Sequence, residues 1–366
     1  MMNPLIKICR IKLGEKLNYM TFDDQVLVSV IVPCFNSEKW IESAIRSVLD
    51  QTWGNLEILV YDDGSTDKSR AILESLSIKD KRIKILGDGK NHGIVHALNY
   101  LLSVANGEYI ARMDSDDICV INRIEKQVTF LQEKNFDGCG SWFTEIGLGP
   151  SRVVRWEHTK FALKAAMLFQ NTILHPTFLA HRKVFEHFKY RESYQLAEDY
   201  DLFVRVAQKF NLANIPEPLL YYRRHTGQAT QSKRESMESV TRRIRLETLS
   251  LNNIKVSEEE KNIHNLIRAP QSIYNMADFE KIELWLLKLI ENFQEPDAKE
   301  VIASQWTRTA IRAAPLGLIM FFKYKNSPIR QFINKKSDFD LLILSILKLS
   351  YESKFYSILR RFSLSA

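Results

Sequence analysis

The chain has 366 residues, 45% apolar and 26% charged, the balance of a soluble globular protein with room for one large or two ordinary domains. No uncharged apolar run approaches the ~20 residues of a membrane span, and the N-terminus carries no signal-peptide apolar core, so a cytoplasmic location is expected. Cys9, Cys34, Cys119 and Cys139 form no C-x-x-C pair, which argues against a zinc centre or a disulfide framework.

The net charge of +7 is unevenly placed. Residues 305–366 hold eleven Lys or Arg against three Asp or Glu, and the remaining 304 residues hold 40 basic against 41 acidic. Such a segment suits an anionic lipid surface, a nucleic acid or an acidic partner, and charge alone does not choose. No aromatic–basic interleaving accompanies it, so nucleic acid is not the expected partner.

Residues 1–25 show no strong pattern and form an N-terminal extension. Residues 26–32 are a β-branched run ending in Pro33 and predict a buried strand. Asn36 and Ser37, both N-cap types, precede Trp40, Ile41, Ala44, Ile45, Val48 and Leu49 at helical spacing. A second strand over 56–61 runs into Asp62-Asp63-Gly64-Ser65-Thr66-Asp67, a turn that opens a helix containing Ala71, Ile72 and Leu76. A strand over 83–86, a helix over 93–104 and a strand over 109–113 follow. Strand and helix alternating with short connections predict a parallel α/β sheet, in which ligands bind beyond the carboxyl ends of the strands. Residues 33–36, Asp62/Asp63 and Asp114/Asp116 all fall on that edge. The glycines at 87, 89 and 93 do not have dinucleotide-binding spacing, and there is no Walker A motif.

The last of these strands ends in Asp114-Ser115-Asp116-Asp117. In an extended segment residues i and i+2 face the same side, so Asp114 and Asp116 converge. Two converging carboxylates suit a hard cation, Mg2+ or Mn2+, that completes its shell with water and phosphate oxygens. A polar turn with Asp117 capping the next helix is the plainer reading of these residues alone. Downstream, 124–131 and 161–169 read as helices and 138–146 as a strand or hairpin. Ala197-Glu198-Asp199-Tyr200-Asp201 opens a further helix, and 219–224 is strand-like, ending at His225. Beyond about residue 228 only helical patterns occur, over 237–251 and 278–293, with short apolar segments at 313–322 and 339–349.

VSVIVPCFNSEKWIESAIRSVLDQTWGNLEILVYDDGSTDKS resembles the opening of family 2 glycosyltransferases, which have the GT-A fold. The resemblance continues through NHGIVHALNYLLSVANGEYIARMDSDDI, HPT, AEDYDLFVR and YYRRH, in family order. It implies a catalytic domain over 26–230, a mixed sheet flanked by helices, followed by a helical, basic region over 231–366. The implied reaction is inverting transfer of a sugar from a nucleotide-sugar, a UDP-sugar by family habit, to a glycan or lipid-linked acceptor in surface-polysaccharide synthesis.

The resemblance also implies roles for particular residues. Asp63 accepts a hydrogen bond from the base, on an apolar bed from Pro33 and Phe35, with Asn36, Asn91, Gly93 and Asp114 also at the nucleotide. Helix capping is the rival reading for Asp63 and for Asn91, and His92 stands where many relatives carry Arg. Asp114 and Asp116, joined by His225, would ligate Mn2+ or Mg2+. Arg223 and Arg224 would hold phosphate or position the acceptor. Asp199 would be the catalytic base, with Asp201 its rival and a helix-dipole role the plainer alternative for both. His175 and Glu198 would position substrate. Rival functions are a sugar-phosphate nucleotidyltransferase, opposed by the absence of Gly in residues 26–40, and a silent partner subunit that binds donor or lipid. The basic helical region suggests peripheral attachment to the inner face of the membrane.

Overall fold

Val, Ile and Leu dominate the central strands because helices cover both faces of a sheet that leaves those strands no solvent side. A computed structural model describes residues 9–13, 16–20, 26–226, 234–269, 271–333, 338–350 and 353–354. The chain divides into two compact units, Met1–Lys160 with Asn171–Thr241, and Phe161–Gln170 with Arg242–Ala366.

In the first unit β1 (Cys9–Leu13) and β2 (Lys16–Met20) form an antiparallel pair within the stretch where the sequence shows no pattern. β3 (Val28–Cys34), β4 (Leu56–Asp62), β5 (Ile83–Leu86) and β6 (Tyr109–Arg112) are mutually parallel, in the spatial order β5-β4-β3-β6. The helices α1 (Ile41–Leu49), α2 (Ser69–Lys79) and α3 (Ile94–Val104) connect them. α1 buries Ile41, Ala44, Ile45 and Val48, the stripe its spacing predicts.

Beyond β6 the sheet becomes mixed. β7 (Ile118–Cys119), α4 (Arg123–Lys134), β8 (Gly138–Gly147), β9 (Arg152–Val154) and α5 (Lys160–Ala166) precede β10 (Leu179–His181), α6 (Arg182–His187), α7 (Glu198–Val206) and β11 (Leu212–Arg224). β10 runs antiparallel between β6 and β8, and β11 lies between β8 and β7. Residues 219–224 are thus the end of a 13-residue strand. Pro216 and Pro218 coincide with its register shifts and hide its first half from a propensity reading. The helix expected over 161–169 stops at Ala166.

At the end of the sheet away from the strand termini that carry the acidic turns, Glu57 ties four segments together. Its Oε1 accepts from Ser29 Oγ at 2.6 Å and Asn106 N at 2.6 Å, and its Oε2 accepts from Lys84 Nζ at 2.8 Å. Burial alone would raise this carboxyl, but the bonds from Lys84, Ser29 and Asn106 outweigh it and hold it at about 2.

The second unit is helical among its described residues. α8 (Arg234–Leu251) leads to α9 (Glu258–Arg268), α10 (Met276–Glu291), α11 (Pro296–Arg312), α12 (Leu318–Asn326) and α13 (Phe339–Ile346). α9 opens with a capping box between Ser257 and Glu260, and α11 with Pro296 in its first turn. Phe279 stacks on Trp306 at 4.2 Å. His264 links Leu168 O at Nε2 with Trp285 Nε1 at Nδ1, and burial keeps it neutral. The apolar segment 313–322 is not one helix, because Gly317 (φ 78°) separates a 3-10 turn over Ala314–Leu316 from α12. A Cβ on Gly317 would lie 3.1 Å from Lys348 Cε, so the start of α12 adjoins the end of α13. Leu318, Ile319, Phe322, Ile346 and Leu347 are exposed there. Among the described residues no helix is long and apolar enough to cross a membrane. Lys335, Lys336 and residues 355–366 of the basic segment lie outside the described residues.

The Glu57 clamp has a pH signature. Its carboxyl sits below the usual value in the folded state, so its contribution is present above about pH 4.5 and lost as pH falls towards 2. Glu57→Gln is expected to cost on the order of 2 kcal/mol at pH 7, allowing for the partial exposure of Lys84. The difference from wild type should shrink as pH falls from 4.5, as measured by denaturant unfolding at stepped pH.

Candidate functional site

Three loops leave the carboxyl ends of β3, β4 and β6 and are latched to one another. Asn36, at φ 47°, donates its N–H to Ser65 Oγ at 3.0 Å, and its side-chain oxygen accepts from Thr66 N at 2.8 Å. Ser37 Oγ lies 2.7 Å from Ser115 Oγ, joining the first loop to the acidic turn. Neither Asn36 nor Ser37 caps α1, whose N-cap is Trp40, because both are committed to the neighbouring loops.

Asp63 is buried, and its two oxygens accept from His92 N at 2.7 Å and Gly93 N at 2.9 Å, ahead of α3. Asn91 Nδ2 donates to Asp63 O at 3.0 Å. Asp63 does not cap α2, whose N-cap is Lys68; the residue before it, Asp67, accepts from Ser69 N through Oδ1. Gly64 is required at this turn: φ is 74°, and a Cβ would fall 2.7 Å from the Lys90 carbonyl carbon. Each oxygen of Asp63 keeps a lone pair beyond its backbone bond. Pro33 belongs to β3, and Phe35 beside it is 49% exposed, an apolar face next to a held carboxylate. His92 meets Asp88 at 3.1 Å and the ring of His96 at 4.6 Å.

At the end of β6, Asp114, Asp116 and Asp117 each offer a ligand oxygen within 4.8 Å of the others. Asp117 is not a helix cap. Its Oδ1 accepts from Arg223 N at 2.8 Å, its other oxygen is buried without a hydrogen-bond partner among the described residues, and α4 begins only at Arg123. Burial, then repulsion from Asp114 and Asp116, pushes the Asp117 carboxyl well above the usual range. Burial and Asp114 also raise Asp116, against the pull of His225, whose Nε2 is 2.9 Å from Asp116 Oδ2.

Arg112, buried in β6, ion-pairs with Asp114. Arg223 Nε donates to Asp116 O at 2.9 Å, and its guanidinium lies 4.4 Å over the Trp40 ring. Arg224 points the other way, towards Glu145 at 3.8 Å, because successive residues of β11 face opposite sides of the sheet. The structure therefore does not bring Arg224 to the acidic cluster. A tight cluster of carboxylate oxygens, one of them buried without a hydrogen-bond partner among the described residues, fits a divalent cation by its donor chemistry.

α7 supplies the other carboxylates. Burial raises Asp199 to about 6 and Glu198, next to it, to about 7. Asp199 Oδ1 accepts from Tyr200 N at 2.7 Å and Oδ2 from Asn171 Nδ2 at 2.8 Å. Arg112 and Asp114 act electrostatically on Asp199, so Asp199 and the acidic cluster share one basin. Asp201, the rival two residues on, is buried and ion-paired to Arg191 and Arg205, with both oxygens engaged. His175 is buried and hydrogen-bonded through Nε2 to Tyr190 Oη at 2.8 Å. Burial, aided by Arg112, drives its protonation well below the ordinary histidine range.

The sequence reading does not assign Arg112, Asn171 or Trp40. Arg112 carried a usable signal, since a charged residue inside a buried strand needs a partner. Asn171 and Trp40 carried none, because their contacts are 28 or more residues away in the chain.

The model of glycosyl transferase family 2 matches residues 29–188. An uncharacterized glycosyltransferase of Haemophilus influenzae is 35% identical over 253 residues, 66% of this chain and 78% of that protein. The Escherichia coli UDP-Glc:alpha-D-GlcNAc-diphosphoundecaprenol beta-1,3-glucosyltransferase WfgD is 42% identical over 112 residues, 31% of this chain and 44% of that protein. In architecture the chain is similar to Staphylococcus aureus TarS 1-349, crystallised with UDP-GlcNAc. The TM-score is 0.54 at 20% identity, over 83% of this chain and 89% of that one.

Proposed function

Because the chain belongs to glycosyltransferase family 2, we propose that it transfers a sugar, with inversion, from a UDP-sugar to a hydroxyl of a glycan or lipid-linked acceptor during surface-polysaccharide synthesis. The observation that carries this reading is the pairing in one basin of an acidic cluster with a separate carboxylate, Asp199, raised to about 6. The free lone pairs of Asp63 suit a base N–H, beside the exposed Phe35. Asp114, Asp116 and His225 would hold Mn2+ or Mg2+, whose charge offsets that developing on the diphosphate. Arg223, anchored on Asp116 and Trp40, adds positive charge on the same side.

In the step itself the acceptor oxygen attacks the anomeric carbon as the bond to the diphosphate oxygen breaks. The bonding pair leaves on the nucleoside diphosphate, and the hydroxyl proton passes to Asp199. Glu198 and neutral His175 shape the acceptor side. The name of WfgD, with its UDP-glucose donor and diphosphoundecaprenol-linked acceptor, motivates UDP-glucose as the first donor to try. For a lipid-linked acceptor, the exposed apolar residues of α12 and α13 and the basic balance of residues 305–366 offer a surface for the anionic inner leaflet.

Three outcomes are expected. A base must be ionised, and Asp199 sits above its ordinary value, so turnover of UDP-glucose should fall roughly tenfold per pH unit below about 6. Asp199→Asn should lose roughly 10²- to 10⁴-fold at pH 7.5; an Asp199→Asn enzyme that keeps wild-type turnover rules the base assignment out. Replacing Ile319 and Phe322, 75% and 58% exposed, by Glu should reduce co-sedimentation with phosphatidylglycerol vesicles. Sedimentation equal to wild type would remove this surface from the account.

A further inference from the structure

Two carboxylates, Asp199 and Asp201, lie two residues apart at the start of α7, and their surroundings differ in kind. Asp201 is clamped by two guanidinium groups, from Arg191 and Arg205. Among the described residues Asp199 is held by neutral donors, backbone N–H groups that include that of Tyr200 and the Asn171 amide. The orientation of that amide is fixed from behind, since Asn171 Oδ1 accepts from Ile173 N at 3.3 Å and a backbone N–H can only donate. The NH2 end is therefore the end that meets Asp199 Oδ2, at 2.8 Å.

We propose that Asn171 is a positioning residue for the reaction, holding one oxygen of Asp199 so that the remaining lone pairs face the acceptor hydroxyl. The inference rests on the reading of Asp199 as base. A carboxylate on a short side chain turns about its terminal bond unless both oxygens are held, and a misaimed base loses rate steeply. A neutral amide fixes the group without cancelling its charge, whereas a guanidinium, as at Asp201, would hold it and weaken it as a base. The charged and titratable groups acting on Asp199 besides this amide are Arg112 and Asp114 of the β6 end, the adjoining Glu198, and Tyr190.

The test uses the full chain with UDP-glucose as donor, together with carbon-13 titration of protein labelled at the Asp carboxyls, the Asp199 signal being the one absent from Asp199→Asn. Asn171→Ala should lower turnover roughly tenfold to a hundredfold, the usual loss for a hydrogen bond to a charged group, with the KM for UDP-glucose unchanged. The Asp199 midpoint should rise from about 6, because a donor to the ionised form is gone. Asn171→Asp is isosteric and keeps the acceptor for Ile173 N–H, so it guards against simple misfolding. Its carboxylate should push the Asp199 midpoint higher still and lower turnover further. An unmoved midpoint in both variants, or a loss of turnover matched by a loss of donor affinity, overturns the positioning role. Failure of the base assignment is separately visible, as full turnover in Asp199→Asn.

Discussion

Asp114, Asp116 and Asp117 bring carboxylate oxygens within 4.8 Å of one another, where two unit charges repel by about 3 kcal/mol at an effective dielectric constant of 20. The surroundings answer that repulsion from several directions. Arg112 is buried against Asp114, His225 reaches Asp116, and the backbone of Arg223 donates to Asp117. Arg123, itself fully buried, donates to the Arg112 carbonyl at 2.8 Å and so pins the strand end from which the cluster projects. Burial, then mutual repulsion, still raises Asp116 and Asp117 against the pull of His225, Arg112 and the Arg223 N–H, so the negative charge of the cluster is not fully offset. That residual negative charge is what a metal-bound diphosphate site requires of its protein.

The same basin holds the carboxylates of α7. Asp199 and Glu198, like Asp116 and Asp117, are raised first by burial, and Glu198 next by the charge of Asp199, while His175 beside Tyr190 stays neutral. Arg112 acts on both groups, lowering Asp199 and Glu198 while pairing with Asp114. One buried arginine thus bears on both groups of carboxylates.

Much of this architecture was legible in residues. β-branched runs bounded by Asp, Gly, Ser and Pro marked β3 to β6. Asp114 and Asp116 do lie together, but on a turn after β6 ends at Arg112, joined there by Asp117, and not on the extended segment the i, i+2 rule assumes. The antiparallel half of the sheet was harder, because β10 and β11 owe their places to partners far away in sequence and β11 carries two prolines. In the second unit α9 and α11 were missed although Ser257, Glu260 and Pro296 signal their starts. The apolar density of 313–322 drew attention away from the break at Gly317. Side-chain contacts such as Asn171 with Asp199 have no sequence signature, because loop geometry alone decides them.

The central claim is that the acidic end of β6 and the Asp63 turn form a metal-assisted site for a uridine diphosphate. Titration calorimetry of UDP into the full chain, with and without Mn2+, and again with Asp114→Ala, tests it directly. Binding should strengthen with Mn2+ and lose that dependence in Asp114→Ala. Absence of UDP binding under every condition, or binding indifferent to both Mn2+ and the substitution, would contradict it.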